Sequence, residues 1–166
     1  MISLYQRFII SKKMMVCVHF AWSVERLSVD WQSDERGQQG NSAMMTLAGK
    51  TAVITGGAQG IGAACAKQLA EHGAHIGLMD IAGDTLNETA KRLADETGKQ
   101  VETEVVDLSD AVASLKAFDA LAARLGGVDI LINNAAILAA GDIFDLELTD
   151  FDRVMGINLR PAFVLD

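Results

Sequence analysis

The residues best suited to chemistry are a glycine-rich octapeptide and a set of acidic and amide residues downstream of it. The octapeptide is Thr55-Gly56-Gly57-Ala58-Gln59-Gly60-Ile61-Gly62. Glycines there let the backbone turn tightly and approach a pyrophosphate closely. A helix starting at that point would aim unpaired N–H groups and its positive end at the phosphates. Asp80 follows 18 residues after Gly62. A carboxylate at that spacing can accept hydrogen bonds from an adenosine ribose diol, and it would repel a 2′-phosphate. No Lys or Arg closely follows it in Leu78-Met79-Asp80-Ile81-Ala82, so the pattern favours NAD over NADP. A solvated strand-end aspartate is the plainer alternative. Asp107, followed by Leu108, suits either an adenine contact or a helix N-cap. Asn133 and Asn134 place two amides together, and these need partners when buried. Neighbouring strands or a cofactor ribose could supply them. The two cysteines, Cys17 and Cys65, form no disulfide scaffold, and no Cys/His cluster has zinc-ligand spacing, so no metal site is expected.

Positioning these residues requires alternating strands and helices. Lys50 to Thr55 is short, β-branched and glycine-bounded, and reads as a buried strand. From Gly60 to His72, Ile61, Ala64, Cys65 and Leu69 recur at helical spacing, and Gly73 stops the helix. His75 to Asp80 reads as a second strand. Leu86, Ala90, Leu93 and Ala94 mark a second helix ending near Gly98. Val101 to Asp107 reads as a third strand, and Val112, Leu115, Ala122 and Leu125 mark a third helix. Val128 to Asn133 is a fourth strand, apolar through its middle. A further helix begins at Thr149, with Phe151, Val154 and Met155 on one face. Continuously apolar strands separated by amphipathic helices predict an α/β fold: a Rossmann-like, doubly wound parallel sheet. The sheet is expected to be truncated after about four strands and the following helix.

Composition excludes several classes. The chain has 166 residues, and half of them are apolar, so wholesale disorder is excluded. No apolar run reaches the roughly 18 residues of a membrane span, so no membrane partner is expected. The formal net charge of −8 argues against a nucleic-acid partner, which would need a basic face. The charge is uneven. Residues 1–45 hold five basic and four acidic residues; residues 46–166 hold nine and eighteen. Both tryptophans, Trp22 and Trp31, and a polar stretch from Ser33 to Ser42 fall in the first part. The expected organisation is a leader over 1–45 and one incomplete nucleotide-binding domain over 46–166. The leader could be a secretory signal, with Arg7, Lys12 and Lys13 ahead of Met14–Trp22. His19 and the lack of a nearby cleavage pattern weigh against that. An upstream stretch translated from an early start codon fits better, because Met44 and Met45 directly precede the patterned residues. A genuine extra tail is the third option. The expected compartment is the cytoplasm.

The octapeptide resembles the TGxxxGxG cofactor motif of the short-chain dehydrogenase/reductase family. Asn133-Asn134-Ala135-Ala136 resembles its NNAG motif, and Leu47-Ala48-Gly49-Lys50 looks like its usual lead-in to the first strand. The resemblance covers residues 47–166. It implies a cofactor-binding set of Gly56, Gln59, Gly60, Ile61, Gly62, Asp80, Asp107, Leu108, Asn133, Asn134 and Ala135. It also implies that Asn158, in Ile157-Asn158-Leu159-Arg160, is the asparagine of the family's Asn-Ser-Tyr-Lys catalytic set. Pro161 cannot donate to the carbonyl of Ile157, so the helix should kink beside Asn158. Ala136 replaces the motif's glycine, a change of one methyl. No Tyr-x-x-x-Lys occurs within residues 1–166: the single tyrosine, Tyr5, precedes the fold and has no lysine four residues on.

The resemblance implies an oxidoreductase that moves a hydride between NAD(H) and an alcohol/ketone pair, with a homo-oligomer expected for a full-length form. Residues 1–166 alone, lacking the family's Ser and Tyr-x-x-x-Lys, are expected to be inactive. The alternative is a non-catalytic NAD-binding module or fragment. A different nucleotide-binding enzyme, such as a methyltransferase, is disfavoured by the TGxxxGxG spacing together with Asn133-Asn134-Ala135-Ala136.

Overall fold

The computed structural model describes residues 14–17, 46–139, 141, 144 and 146–166. Tyr5, both tryptophans, the polar stretch 33–42 and the Met44–Met45 pair lie outside them. Five strands form one parallel sheet: β1 (Met14–Cys17), β2 (Thr51–Thr55), β3 (His75–Asp80), β4 (Val101–Val105) and β5 (Ile130–Asn133). Their spatial order is β1-β5-β2-β3-β4. The helices are α1 (Gly60–Glu71), α2 (Gly83–Thr97), α3 (Ala111–Leu125), α4 (Leu148–Asn158) and α5 (Arg160–Val164).

Each central strand is buried on both faces, as continuous apolar runs require. Ala52, Ile54, Ile76, Leu78, Ile130 and Ile132 face α1 and α2, where Ala66, Ala70, Leu86 and Leu93 complete one core layer. Val53, Met79 and Leu131 face the other way, onto Ala117, Leu121 and Leu165. The period of two within each strand assigns successive residues to opposite layers. β4 is the outer strand on one side. It carries Glu102 and Glu104 towards Arg124 of α3, at 3.0 and 2.7 Å, and charge on an edge strand discourages pairing with another chain. At the far end from the strand tips, Asp129 ties β2 to β5. It accepts from Lys50 Nζ at 2.7 Å and from the Thr51 N–H at 2.9 Å.

The structure shifts several expected boundaries and faces. The first patterned strand starts at Thr51 rather than Lys50. The strand expected over 101–107 stops at Val105, the one over 128–133 starts at Ile130, and the last long helix starts at Leu148. The predicted apolar face of α1 holds only in part: Cys65 and Leu69 pack against the core. Ile61 and Ala64 are exposed, and the buried residues are Gly62, Ala63, Ala66 and Ala70. In α3, Val112 and Leu115 are exposed, and Ser114, Ala117 and Leu121 are buried. In α1 the buried residues are all small, which lets the helix axis approach the sheet closely, while α3 buries Ser114 and Ala117 together with Leu121. The β5 edge pairs in parallel with β1, a segment of the expected leader, from Met14 opposite Ile130 to Cys17 opposite Asn133. An edge strand presents unpaired N–H and C=O groups that a short extended segment can satisfy.

Candidate functional site

The strand order reverses between β2 and β5, since β2 continues to β3 on one side while β5 lies on the other. Open parallel sheets place their ligand crevice at the carboxyl ends of the strands at such a switch point. A cavity of about 590 Å3 lies there. Its walls include Gly56, Gln59, Asp80, Asp107, Leu108, Asn134 and Ala135 of the predicted set. Gly60, Ile61, Gly62, Asn133 and Asn158 are not on its walls.

The glycine-rich turn runs from β2 into α1 and is held by backbone and side-chain ties. Met79 O accepts from the N–H groups of Gly56 and Gly57, at 2.8 and 3.2 Å. Gly56 has φ +66°, where an L side chain is strained, and a Cβ there would lie 2.9 Å from the Ala135 Cα. A Cβ on Gly62 would overlap the Gly56 carbonyl and sit 2.6 Å from Asn134 Nδ2. Gly62 therefore does its work behind the turn, letting α1 close on it. Gln59 is the N-cap of α1, no side chain caps the helix, and its first turn holds no acidic residue. The N-terminus of α1 is left electropositive next to the cavity.

Asp80 ends β3, and both of its carboxylate oxygens already accept backbone hydrogen bonds. The Ala58 N–H donates to Oδ2 and the Ala82 N–H to Oδ1, each at 3.0 Å. A carboxylate can accept about four hydrogen bonds, so capacity remains for a diol. Asp80 thus ties the glycine-rich turn as well as facing the cavity. Asp107 lies two residues beyond β4, in the turn that leads to α3. The Ser109 N–H donates to its Oδ1 at 2.9 Å and holds the carboxyl below the usual carboxylate range. The N-cap of α3 is Asp110, which accepts from the N–H groups of Val112 and Ala113, at 2.9 Å each. That removes the N-cap alternative for Asp107.

The two asparagines behave differently. Asn134 bridges elements: its Nδ2 donates to the carbonyls of Thr55 and Gly56, at 3.0 and 3.1 Å. Its own N–H and that of Ala135 donate to Thr55 Oγ1, at 3.0 and 3.1 Å. Asn134 and Thr55 therefore lock β5 to the start of the turn. Both amide atoms of Asn133 are buried and have no hydrogen-bond partner among the described residues. Asn158 clamps the segment that leaves β5. Its Oδ1 accepts from the Ile137 N–H at 2.9 Å, and its Nδ2 donates to the Ile137 carbonyl at 3.0 Å. The expected kink is present: α4 ends at Asn158 and α5 restarts at Arg160, with Pro161 in its first turn.

Residues not singled out from the sequence also build the site. Thr55 was passed over although it opens the octapeptide. Thr89 is buried in α2 and donates to the Ala58 carbonyl at 2.7 Å, holding the turn from behind. Its signal was a hydroxyl within the apolar stripe Leu86–Ala90–Leu93. Ile157 and Arg153 of α4 also line the cavity. They stand one and five positions before Asn158 and had no motif of their own.

Residues 50–165 match the family model described as short chain dehydrogenase. A D-threitol dehydrogenase of Mycolicibacterium smegmatis is 36% identical over 119 residues, which are 72% of this chain and 45% of that protein. The L-sorbose reductase of Gluconobacter frateurii, solved with NADPH and L-sorbose, superposes with a TM-score of 0.70 at 32% identity. The match covers 73% of this chain and 46% of that one. A xylitol dehydrogenase solved with NAD+ superposes with a TM-score of 0.68 at 32% identity, over 72% of this chain and 46% of that one. The chain spans less than half the length of each of these three relatives.

Proposed function

The chain belongs to the short-chain dehydrogenase family, and from that premise we propose that it holds NAD(H) in the cavity at the β2/β5 switch point. The whole protein, in this reading, transfers a hydride between NAD(H) and an alcohol/ketone pair. The observation that carries the proposal is the convergence of Gly56, Asp80, Asp107 and Asn134 on one cavity beside an uncapped helix N-terminus. The cradle fits a dinucleotide, because side chains on Gly56 or Gly62 would fill the close approach the turn makes. When bound, the nicotinamide ring supplies the hydride chemistry.

The roles of this chain's own residues follow. Backbone N–H groups at the start of α1 face the pyrophosphate. Asp80 accepts from the adenosine ribose, and its charge disfavours a 2′-phosphate. Asp107 and Leu108 border the adenine. Asn134 and Thr55 keep the turn and the end of β5 in register. Asn158 acts on the segment after β5 through Ile137, which makes it a positioning residue. Its further part in a proton relay is implied by the resemblance. Assembly into a homo-oligomer belongs to the same proposal. Leu148, Phe151 and Met155 of α4, with Leu159 at its end, form an exposed apolar stripe that such a contact would bury.

Calorimetric titration of residues 1–166 tests the cofactor reading, with NAD binding more tightly than NADP as the expected result. Equal or tighter binding of NADP would overturn the preference. The same polypeptide, followed by NADH absorbance against a panel of alcohols and ketones, is expected to show no turnover. Turnover at an enzymatic rate would show that residues 1–166 need no Tyr-x-x-x-Lys.

A further inference from the structure

We propose that Arg153 completes the base subsite of the cavity, its guanidinium packing on the face of the adenine of a bound nicotinamide dinucleotide. The inference rests on the dinucleotide reading above. Arg153 lines the cavity together with Ile81, Val106, Leu108 and Ile157. Val106 and Leu108 are buried, and with Ile157 they form an apolar wall suited to a flat ring. Arg153 stands four residues before Ile157 on α4, so the two side chains share one helix face. Among the described residues it is the only cation on the cavity walls. Arg124 pairs with Glu102 and Glu104, and Arg160 reaches the Ser109 carbonyl. Arg153 has no hydrogen bond or ion pair among the described residues.

Other groups already meet the remaining needs of the cavity. The carboxylates of Asp80 and Asp107 accept from the backbone N–H groups of Ala58, Ala82 and Ser109. The phosphate positions are served by backbone N–H groups at the start of α1. What the apolar wall lacks is a cover for the second face of a base. A guanidinium is planar, weakly hydrated and stacks on aromatic faces, which suits that position better than an ammonium.

The experiment is calorimetric titration of the full chain and its Arg153→Ala and Arg153→Lys variants with NADH and, separately, with adenosine 5′-monophosphate. Arg153→Ala is expected to weaken both by the same factor, about two- to fivefold, the range for a cation over a ring. Arg153→Lys should fall between the other two proteins. The loss should persist when salt is raised from about 50 to about 500 mM, which screens an exposed charge pair. Unchanged affinity in Arg153→Ala overturns the inference. So does full recovery in Arg153→Lys with the loss vanishing at high salt, since that would place the charge on a phosphate. If the unmutated chain binds neither compound, the dinucleotide reading fails, and this inference with it. If that chain binds and Arg153→Ala binds equally, only the inference fails. Matching thermal midpoints of the three proteins exclude misfolding, because Arg153 is exposed.

Discussion

Replacing Asp80 should damage the protein before any cofactor is added. In the structure its carboxylate accepts from the Ala58 and Ala82 N–H groups, both at 3.0 Å. Ala58 is 1% exposed, so its N–H cannot turn to bulk water once the carboxylate is gone. A buried donor left unsatisfied costs about 1–3 kcal/mol. Ala82 is exposed and recovers a water partner, so its bond adds little. Asp80→Ala is therefore expected to lose roughly 1–3 kcal/mol of apo stability, or roughly 4 °C of thermal midpoint per kcal/mol for a domain of this size. Asp80→Asn keeps one acceptor oxygen and should lose about half as much. The assay pairs apo thermal unfolding with calorimetric titration of NAD and NADP. Both variants should bind NAD more weakly and lose discrimination against NADP, since the repelling charge is gone. A carboxylate that served the ribose alone would leave the apo midpoint untouched. Unchanged midpoints in both variants would refute the argument that Asp80 ties the glycine-rich turn.

Other perturbations test other parts of the fold. Asn158→Ala removes both bonds to Ile137 and should cost about 1 kcal/mol, since the residue is exposed; faster hydrogen exchange at the Ile137 amide is the specific readout, and unchanged exchange would show that the clamp does not hold. Asp129 is held below the usual carboxylate range, first by Lys50 and then by the Thr51 N–H. A carboxyl lowered on folding gives its full stabilisation above the unfolded value of about 3.9 and loses it as pH falls through the folded value. Acid unfolding of Asp129→Asn should thus be less steep below about pH 4 than that of the parent, and identical acid limbs would count against this tie. Residues 14–17 of the expected leader pair with β5, so a chain starting at Met45 bares that edge and should lose thermal midpoint relative to the long form; an unchanged midpoint would show that β1 adds nothing to the stability of the sheet.

How much could be read in advance depended on whether the signal was local. The strands were legible because a parallel sheet covered on both faces demands unbroken apolar runs, and His75–Asp80 matches residue for residue. The octapeptide and Asp80 were legible because glycine spacing and a strand-end carboxylate are constraints written in consecutive residues. Helix faces were legible unevenly: Leu86, Ala90 and Leu93 of α2 are buried as read, whereas α1 and α3 turn partly different faces inward. Ile61, Val112 and Leu115 attracted the reading because large apolar side chains dominate a periodicity count, yet they face outwards. The reason lies in the site itself. α1 must come close enough for Gly62 to touch the Gly56 carbonyl, and only Ala63, Ala66 and Ala70 leave room for that approach. In α3, Ser114 and Ala117 allow similar closeness to the second face of the sheet. Long-range partners were equally hidden. Nothing near Asn134 in sequence shows that its amide serves two carbonyls at the end of β2, and nothing near Asn158 points to Ile137. Motif position identified these residues, and the fold supplied what each one holds. The cofactor turn is therefore a set of distant ties, from Asp80, Thr89 and Asn134, closing on one short glycine-rich segment. Weakening any of the three should loosen the turn even though its own sequence is intact.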